Sequence, residues 1–143
     1  MNMNKQYIGI DPGASGGIAA IQGGPLAWPM PETERDIWEL MKFFAKTPSF
    51  VVIERVHSMP RQGVASSFKF GMSYGALRMA IVASGIPFED VTPQKWMKAL
   101  GCLSGGDKRV TKQRAQSLFP KLKITHATAD SLLIAEYCRR TYP

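Results

Sequence analysis

Apolar runs of strand length, separated by glycine and proline, predict a sheet. Residues 6–11 (QYIGID) and 16–22 (GGIAAIQ) indicate two strands joined by a Pro-Gly turn, and residues 24–30 (GPLAWPM) indicate a third. The run at 49–54 (SFVVIE) is continuously apolar, which favours a buried parallel strand. A further strand is predicted at 86–91 (IPFEDV).

Helical spacing of apolar residues predicts helices between and after these strands. The segment 31–46 carries apolar residues at i, i+3, i+4 and i+7 from Ile37 onward, with acids near its positive end. Further helices are expected at 68–85, 94–101, 109–120 and 127–140. This order predicts an α/β fold with a mixed sheet. No repeat or linker divides it, so we expect one domain over residues 1–143.

Glycines occur in two informative segments of the chain. Gly13, Gly16 and Gly17 follow the first strand, where we expect them to permit a tight turn, positive φ angles and close backbone approach. Gly71 and Gly75 interrupt the helix expected at 68–85 and lower its propensity. They predict either another backbone packed closely there or a frayed helix start.

Composition narrows the class of protein. With 143 residues and 45% hydrophobic content, the chain can build a substantial core. It has no run of about 20 apolar residues that could span a membrane, and MNMNKQ lacks the apolar segment of a signal peptide. We therefore expect a cytoplasmic protein without a membrane partner. Cys102 and Cys138 lack CxxC spacing, and we expect two idle thiols rather than a disulfide or a metal site.

Positive charge is in excess and unevenly distributed. Eighteen Lys and Arg residues against eleven Asp and Glu residues give a formal net charge of +7. No carboxylate occurs between Arg55 and Phe88, and eight basic residues between Lys95 and Lys123 accompany the single acid Asp107. Clustered cations of this kind indicate a phosphate-backbone binder, with a solvated basic face as the alternative.

Three carboxylates stand apart from the other acids because their surroundings are apolar. Asp11 ends the first strand, Glu54 ends the strand FVVIE, and Asp130 lies within the small, apolar run ATADSLLIA. Each alone is compatible with a capped turn or a surface charge. Together they would repel one another unless a divalent cation were bound. Oxygen ligands favour Mg²⁺ or Mn²⁺ over zinc, and two such ions about 4 Å apart serve phosphodiester cleavage.

Three short motifs, GIDPG, VVIE and ADSLLIA, follow one another in this order along the chain. As an ordered set they resemble the RuvC-type Holliday-junction resolvases of the RNase H-like nuclease superfamily. The segments RQGVASSFKFGMSYGALRMAI and IPFEDVTPQKWMKALG are similar to the compact RuvC-like resolvases of bacteriophages. The resemblance spans nearly the whole chain, and it implies a location in a bacterial cell or a phage-infected host. It implies a five-stranded mixed sheet flanked by helices, and a homodimer that uses Mg²⁺ to place paired symmetric nicks in four-way DNA junctions.

The resemblance also implies the site residues. Asp11, Glu54 and Asp130 correspond to the family's metal ligands, which would hold two Mg²⁺ ions, with Mn²⁺ as a substitute. Many relatives carry a further ligand three residues before the final acid, where this chain has Ala127. His126 lies four residues before Asp130, on the same helix face. We expect His126 to be the fourth active-site group, as a metal ligand or a group that polarises the phosphate or water; a helix cap or surface position is the alternative.

Residues expected to contact DNA lie in the basic stretches. His57 follows Glu54 in the loop where family members insert a side chain near the junction crossover. Lys108 is similar in position to a basic residue that relatives hold near the scissile strand. Phe68 and Phe70 suit stacking on DNA, or equally the core or a dimer interface. The expected DNA contacts are Arg55, His57, Arg61, Lys69, Lys95, Lys108, Arg109 and Lys112.

Other interpretations stay open. GIDPGASGG also resembles the first phosphate loop of actin-like and sugar-kinase ATPases, but those chains are longer and carry further phosphate motifs that this sequence lacks. A DNA-structure binder without cleavage activity is an alternative that Ala127 supports. The main alternative is a ribonuclease-H-like or flap endonuclease with looser specificity, since residue chemistry fixes the reaction better than the substrate shape.

Overall fold

The structure is a computed structural model that describes residues 4–57 and 59–143. Five strands and five helices occur within that part of the chain. The strands are β1 (Gln6–Asp11), β2 (Gly17–Gln22), β3 (Gly24–Pro29), β4 (Ser49–Glu54) and β5 (Phe88–Val91). The helices are α1 (Glu34–Phe44), α2 (Val64–Ser84), α3 (Pro93–Ala99), α4 (Lys108–Leu118) and α5 (His126–Thr141).

The strands form one mixed sheet in the order β3-β2-β1-β4-β5. The first three strands pair antiparallel, whereas β4 pairs parallel to both β1 and β5. In the β1–β4 pair, Ile10 lies opposite Ile53, which brings Asp11 and Glu54 to the same edge of the sheet. The predicted α/β fold with a five-stranded mixed sheet flanked by helices is therefore confirmed.

Both faces of the sheet are covered, because side chains alternate along each strand. Tyr7 and Val52 point to the face covered by α3, α4 and α5, where they join one apolar cluster. Ile8, Ile10 and Ile53 point to the opposite face and pack with α1 and α2 in a second cluster. The sheet is consequently the middle layer of the molecule.

Helix α5 lies directly on the sheet because glycines beneath it leave room for its backbone. A Cβ on Gly9 would collide with Ala135 N and Ser131 O, and a Cβ on Gly17 would collide with Ala127 O. Gly13 adopts a φ of 107°, which strongly favours glycine. Close approach is thus confirmed at Gly17, and positive φ at Gly13.

Two helix starts differ from the prediction by more than one residue. Helix α1 begins at Glu34 rather than at residue 31, because Thr33 caps it: Asp36 N donates to Thr33 Oγ1 over 3.1 Å. Helix α2 begins at Val64, four residues before the expected start, after Gly63 in extended backbone without a side-chain cap. The loop expected at residues 55–67 is shorter as a result.

Gly71 and Gly75 lie inside α2 and not at its start. Among the described residues, nothing lies within 4 Å of a Cβ built on either glycine, so neither a frayed start nor a close backbone within this chain accounts for them. Cys102 and Cys138 are buried and free, as expected. None of the described helices is long and apolar enough to cross a membrane.

Candidate active site

Asp11 and Glu54 end two neighbouring parallel strands, at the carboxyl edge of the sheet. Ile10 and Ile53, the residues before them, are paired in the β1–β4 register and are fully buried. Both acids are half-buried. Asp11 and Glu54 therefore lie side by side where β1 and β4 end.

Asp130 reaches the same edge from α5. The helix begins at His126, and Thr125 N donates to Thr128 Oγ1 over 3.2 Å at its start. Asp130 is buried, with 5% exposure, and within the described part of the chain its Oδ1 has no hydrogen-bond partner. A buried carboxylate oxygen without a partner is costly and is typical of a site completed by another group.

The pKa values of Asp11 and Glu54 respond both to burial and to the other acids of the cluster. Burial, followed by the negative charges of Glu54 and Asp130, raises the pKa of Asp11 to about 8. Burial likewise raises the pKa of Glu54; the charge of Asp130 acts in the same direction, and the hydrogen bond from Trp96 opposes it. The charge of Asp130 thus disfavours the ionised forms of Asp11 and Glu54.

Lys108 supplies a cation to this cluster. Its Nζ donates to Asp130 Oδ2 over 3.3 Å, and it reaches there from the first residue of α4. Burial lowers the pKa of the Lys108 ammonium, but the charges of Asp130, Asp11 and Glu54 outweigh it and leave the pKa raised. The Lys108 side chain remains 70% exposed, so its ammonium can also meet a ligand from solvent.

A buried tryptophan holds one of the acids. Trp96 Nε1 donates to Glu54 Oε2 over 2.8 Å, and Trp96 is fully buried. The sequence pattern identified residues 94–101 only as a helix and did not assign Trp96 a role. The sequence indicates only that Trp96, if buried, needs a hydrogen-bond acceptor for its indole N–H, and it does not identify that acceptor.

The chemistry of this donor set fits a hard divalent cation. The three acids offer only oxygen ligands, Asp130 Oδ1 is buried without a hydrogen-bond partner among the described residues, and the acids repel one another. However, no group of three or more His, Cys, Asp and Glu residues among 4–57 and 59–143 stands in an arrangement that could hold a metal ion. The structure brings the acids together around Lys108 without forming a finished ligand set, and the metal assignment stays a prediction.

His126 and Ala127 open α5. His126 is exposed and Ala127 is half-buried, whereas Asp130 is buried one turn later. His126 is not among the causes of the raised pKa values of Asp11 and Glu54. The role of His126 in the site stays a prediction.

Several of the cations expected to contact DNA flank the acids along the chain. Arg55 directly follows Glu54, Lys95 precedes Trp96, and Lys108 contacts Asp130. Arg109 forms a surface ion pair with Asp107, the N-cap of α4. The remaining members of the set are exposed or half-buried, namely His57, Arg61, Lys69 and Lys112.

A cleft opens at the turn that follows β1. Its volume is about 620 Å³, and Gly13, Glu34, Lys69 and Phe70 are among the residues that line it. Gly13 lies two residues after Asp11, and the Phe70 ring lies against it. The cleft therefore runs from the turn after β1 to the first half of α2.

Comparison with protein-family models and with curated proteins gives no match. Among solved structures, the Thermus thermophilus RuvC structure has a TM-score of 0.65 and 19% identity, covering 94% of this chain and 95% of that one. The T. thermophilus RuvC structure in complex with Holliday junction substrate has a TM-score of 0.65 and 20% identity, covering 96% of each chain. The chain has the RuvC fold. This is the RNase H-like architecture that the sequence motifs implied, and it extends over nearly the full length of both RuvC chains.

Proposed function

We propose that this protein is a divalent-metal-dependent endonuclease that resolves four-way DNA junctions, a crossover junction endodeoxyribonuclease. The observation that carries the proposal is the convergence of Asp11, Glu54 and Asp130 at one edge of a RuvC fold. One of the structural neighbours is a RuvC in complex with Holliday junction substrate. The excess of basic residues supports a polyanionic substrate.

The residues of the site divide the work. Asp11, Glu54 and Asp130 would hold two Mg²⁺ ions, which Mn²⁺ can replace and which supply water activation and stabilisation of the leaving oxygen. The clustered carboxylates give the ions their ligands and, because they are partly buried, limit competition by bulk water. The Lys108 ammonium, already within reach of the acids, would contact the scissile phosphate and neutralise part of its charge.

Binding of the junction arms rests on phosphate contacts from cations around the acids. Arg55 and Lys95 lie next to site residues in sequence, and Lys69 lines the adjacent cleft. Such contacts position a nucleic acid but carry little sequence information. The proposed recognition is therefore of junction shape.

A homodimer is part of the proposal because a four-way junction presents two equivalent strands for cleavage. Helix α2 exposes an apolar stripe at helical spacing, formed by Val64, Phe68, Met72, Met79 and Val82. Gly71 and Gly75 lie exposed in the same helix with open space above them, so a partner's backbone could approach closely. A large exposed apolar patch of this kind is typical of an interaction site.

Substitution of a proposed ligand tests the function. Asp11→Asn should bind a four-way junction like the wild type but cut it less than about one hundredth as fast, the order of loss seen when a transition-state stabiliser is removed. Asp36→Asn is the matched control, because Asp36 is an exposed acid on α1. Cleavage by Asp11→Asn at the wild-type rate would refute the metal assignment.

The substrate is tested separately. Four-way junctions, flaps and RNA–DNA hybrids of matched sequence are incubated with Mg²⁺ or with EDTA, and products are resolved on gels. Paired symmetric nicks confined to the junction, with 5′-phosphate ends, are expected. Equal cleavage of flaps or hybrids would replace the junction assignment with a branch-tolerant or ribonuclease-H-like activity.

A further inference from the structure

Trp96 is a fully buried residue whose only side-chain hydrogen-bond donor is directed at a site carboxylate. Its Nε1 lies 2.8 Å from Glu54 Oε2, and the side chain has 0% exposure. An indole N–H left unpaired in a core is destabilising. Packing therefore fixes the orientation of the indole, and the hydrogen bond from the indole fixes the Glu54 carboxylate.

The local sequence explains how Trp96 arrives there. Val91, the last residue of β5, pairs with Glu54 at the end of β4. Thr92 then caps α3, with Lys95 N donating to Thr92 Oγ1 over 3.3 Å, and Pro93 occupies the first turn. One helical turn after Thr92, the chain returns to the end of β4 and places Trp96 against Glu54.

The contact engages one carboxylate oxygen from within the core. Trp96 belongs to the buried cluster beneath α5, whereas the charges of Asp130 and Lys108 act on the Glu54 carboxylate from α5 and α4. With Oε2 held by the indole, Oε1 is the oxygen left for a cation or for solvent. Outer hydrogen-bond partners of this kind orient carboxylate ligands in metal sites.

We infer that Trp96 is a positioning residue that holds the Glu54 carboxylate in place for binding a divalent cation, an inference that rests on the proposed function. Replacement of a residue that only packs the core would lower stability and leave the affinity for the cation unchanged. Leu100 offers that comparison, because it ends the same helix, is 2% exposed and belongs to the same buried cluster.

The first test uses the wild-type protein. Indole N–H signals of Trp28, Trp38 and Trp96 are assigned by NMR with Trp28→Phe and Trp38→Phe variants, and Mg²⁺ is then titrated. The Trp96 signal should shift with Mg²⁺ occupancy, and Glu54→Gln should abolish that shift. A Trp96 signal that stays unmoved while Mg²⁺ binds would overturn the inference.

The second test measures Mn²⁺ affinity by calorimetry. Trp96→Phe should weaken Mn²⁺ binding about 10–100-fold, while Leu100→Ala lowers the thermal midpoint but keeps the affinity. In a Glu54→Gln background, Trp96→Phe should add no further loss of affinity. Equal affinity of Trp96→Phe and wild type would overturn the inference and leave the proposed function intact.

The two proposals fail in different ways. If wild type and Glu54→Gln bind Mn²⁺ equally, Glu54 is not a ligand, and the proposed function falls together with the inference. If Trp96→Phe does not fold, the NMR titration of the wild-type protein decides the question by itself.

Discussion

Lys108 Nζ lies 3.3 Å from Asp130 Oδ2, so the acidic cluster contains a cation from its own chain. The same ammonium lowers the pKa values of Asp11 and Glu54, against the stronger effect of burial. In this state the protein offsets part of the repulsion between its acids by itself. A divalent cation bound to the acids would take over that role and release Lys108 towards a phosphate.

Replacement of Lys108 should destabilise the protein only when divalent cations are absent. In EDTA, Lys108→Ala leaves the acids uncompensated, and an ion pair whose cation is 70% exposed is worth about 1 kcal/mol or less, which lowers the thermal midpoint by at most about 4 °C. Mg²⁺ should remove most of the difference. Lys42→Ala is the control, since Lys42 forms an ion pair with Glu39 on exposed α1 and should not respond to Mg²⁺. A Mg²⁺-independent loss in Lys108→Ala would contradict this account.

The stability of the metal-free protein should fall as pH rises from about 4 to about 8. The pKa of Asp11 is raised from 3.8 to about 8 in the folded state, so across this window the unfolded chain has released a proton that the folded protein retains. Because the folded state then binds more protons than the unfolded state, each increase in pH lowers the free energy of unfolding. Urea denaturation in EDTA at a series of pH values measures this free energy of unfolding.

Asp11→Asn is the control for the pH experiment, because it has no proton to lose and should flatten the decline. The upper bound on the effect is about 1.4 kcal/mol per unit of pKa shift. Mg²⁺ should restore stability at the alkaline end. Superimposable pH profiles for wild type and Asp11→Asn would show that Asp11 is not perturbed.

Gly9→Ala should damage the site from a distance. A Cβ at Gly9 would collide with backbone atoms of Ala135 and Ser131, so α5 must move and carry Asp130 with it. We expect a loss of about 1–3 kcal/mol in the free energy of unfolding, measured by urea denaturation, together with slower junction cleavage. Gly24→Ala is the matched control, since nothing lies within 4 Å of its Cβ. Equal stability of the two variants would contradict the close packing of α5.

Phe68→Glu should convert a dimer into a monomer. Phe68 is 69% exposed on the apolar stripe of α2, and a charge there would have to be buried against a second copy. Sedimentation velocity gives the measurement. Phe43→Glu is the control, because Phe43 is similarly exposed (57%) on α1, outside the stripe. Loss of the dimer in both variants, or a monomeric wild type, would reject α2 as the interface.

The sequence predicted the strands and the three acids because each depends on local pattern. Asp11 and Glu54 stand out as acids that end apolar runs, and Asp130 as an acid among small apolar residues. The start of α2 was missed because Gly63 offers no side-chain cap.

Contacts between distant segments could not be predicted in the same way. Trp96 and Glu54 are 42 residues apart, and Lys108 and Asp130 are 22 apart. A tryptophan in a helical pattern indicates only core packing, and its acceptor is defined once β4 and β5 have paired.

The central claim is that Asp11, Glu54 and Asp130 together bind a divalent cation, and calorimetric titration with Mn²⁺ tests it most directly. The wild type and the surface control Asp36→Asn should bind Mn²⁺ with equal affinity, whereas Asp11→Asn and Asp130→Asn should lose most of it. The same titration curve for all four proteins, or no binding by the wild type, would contradict the claim.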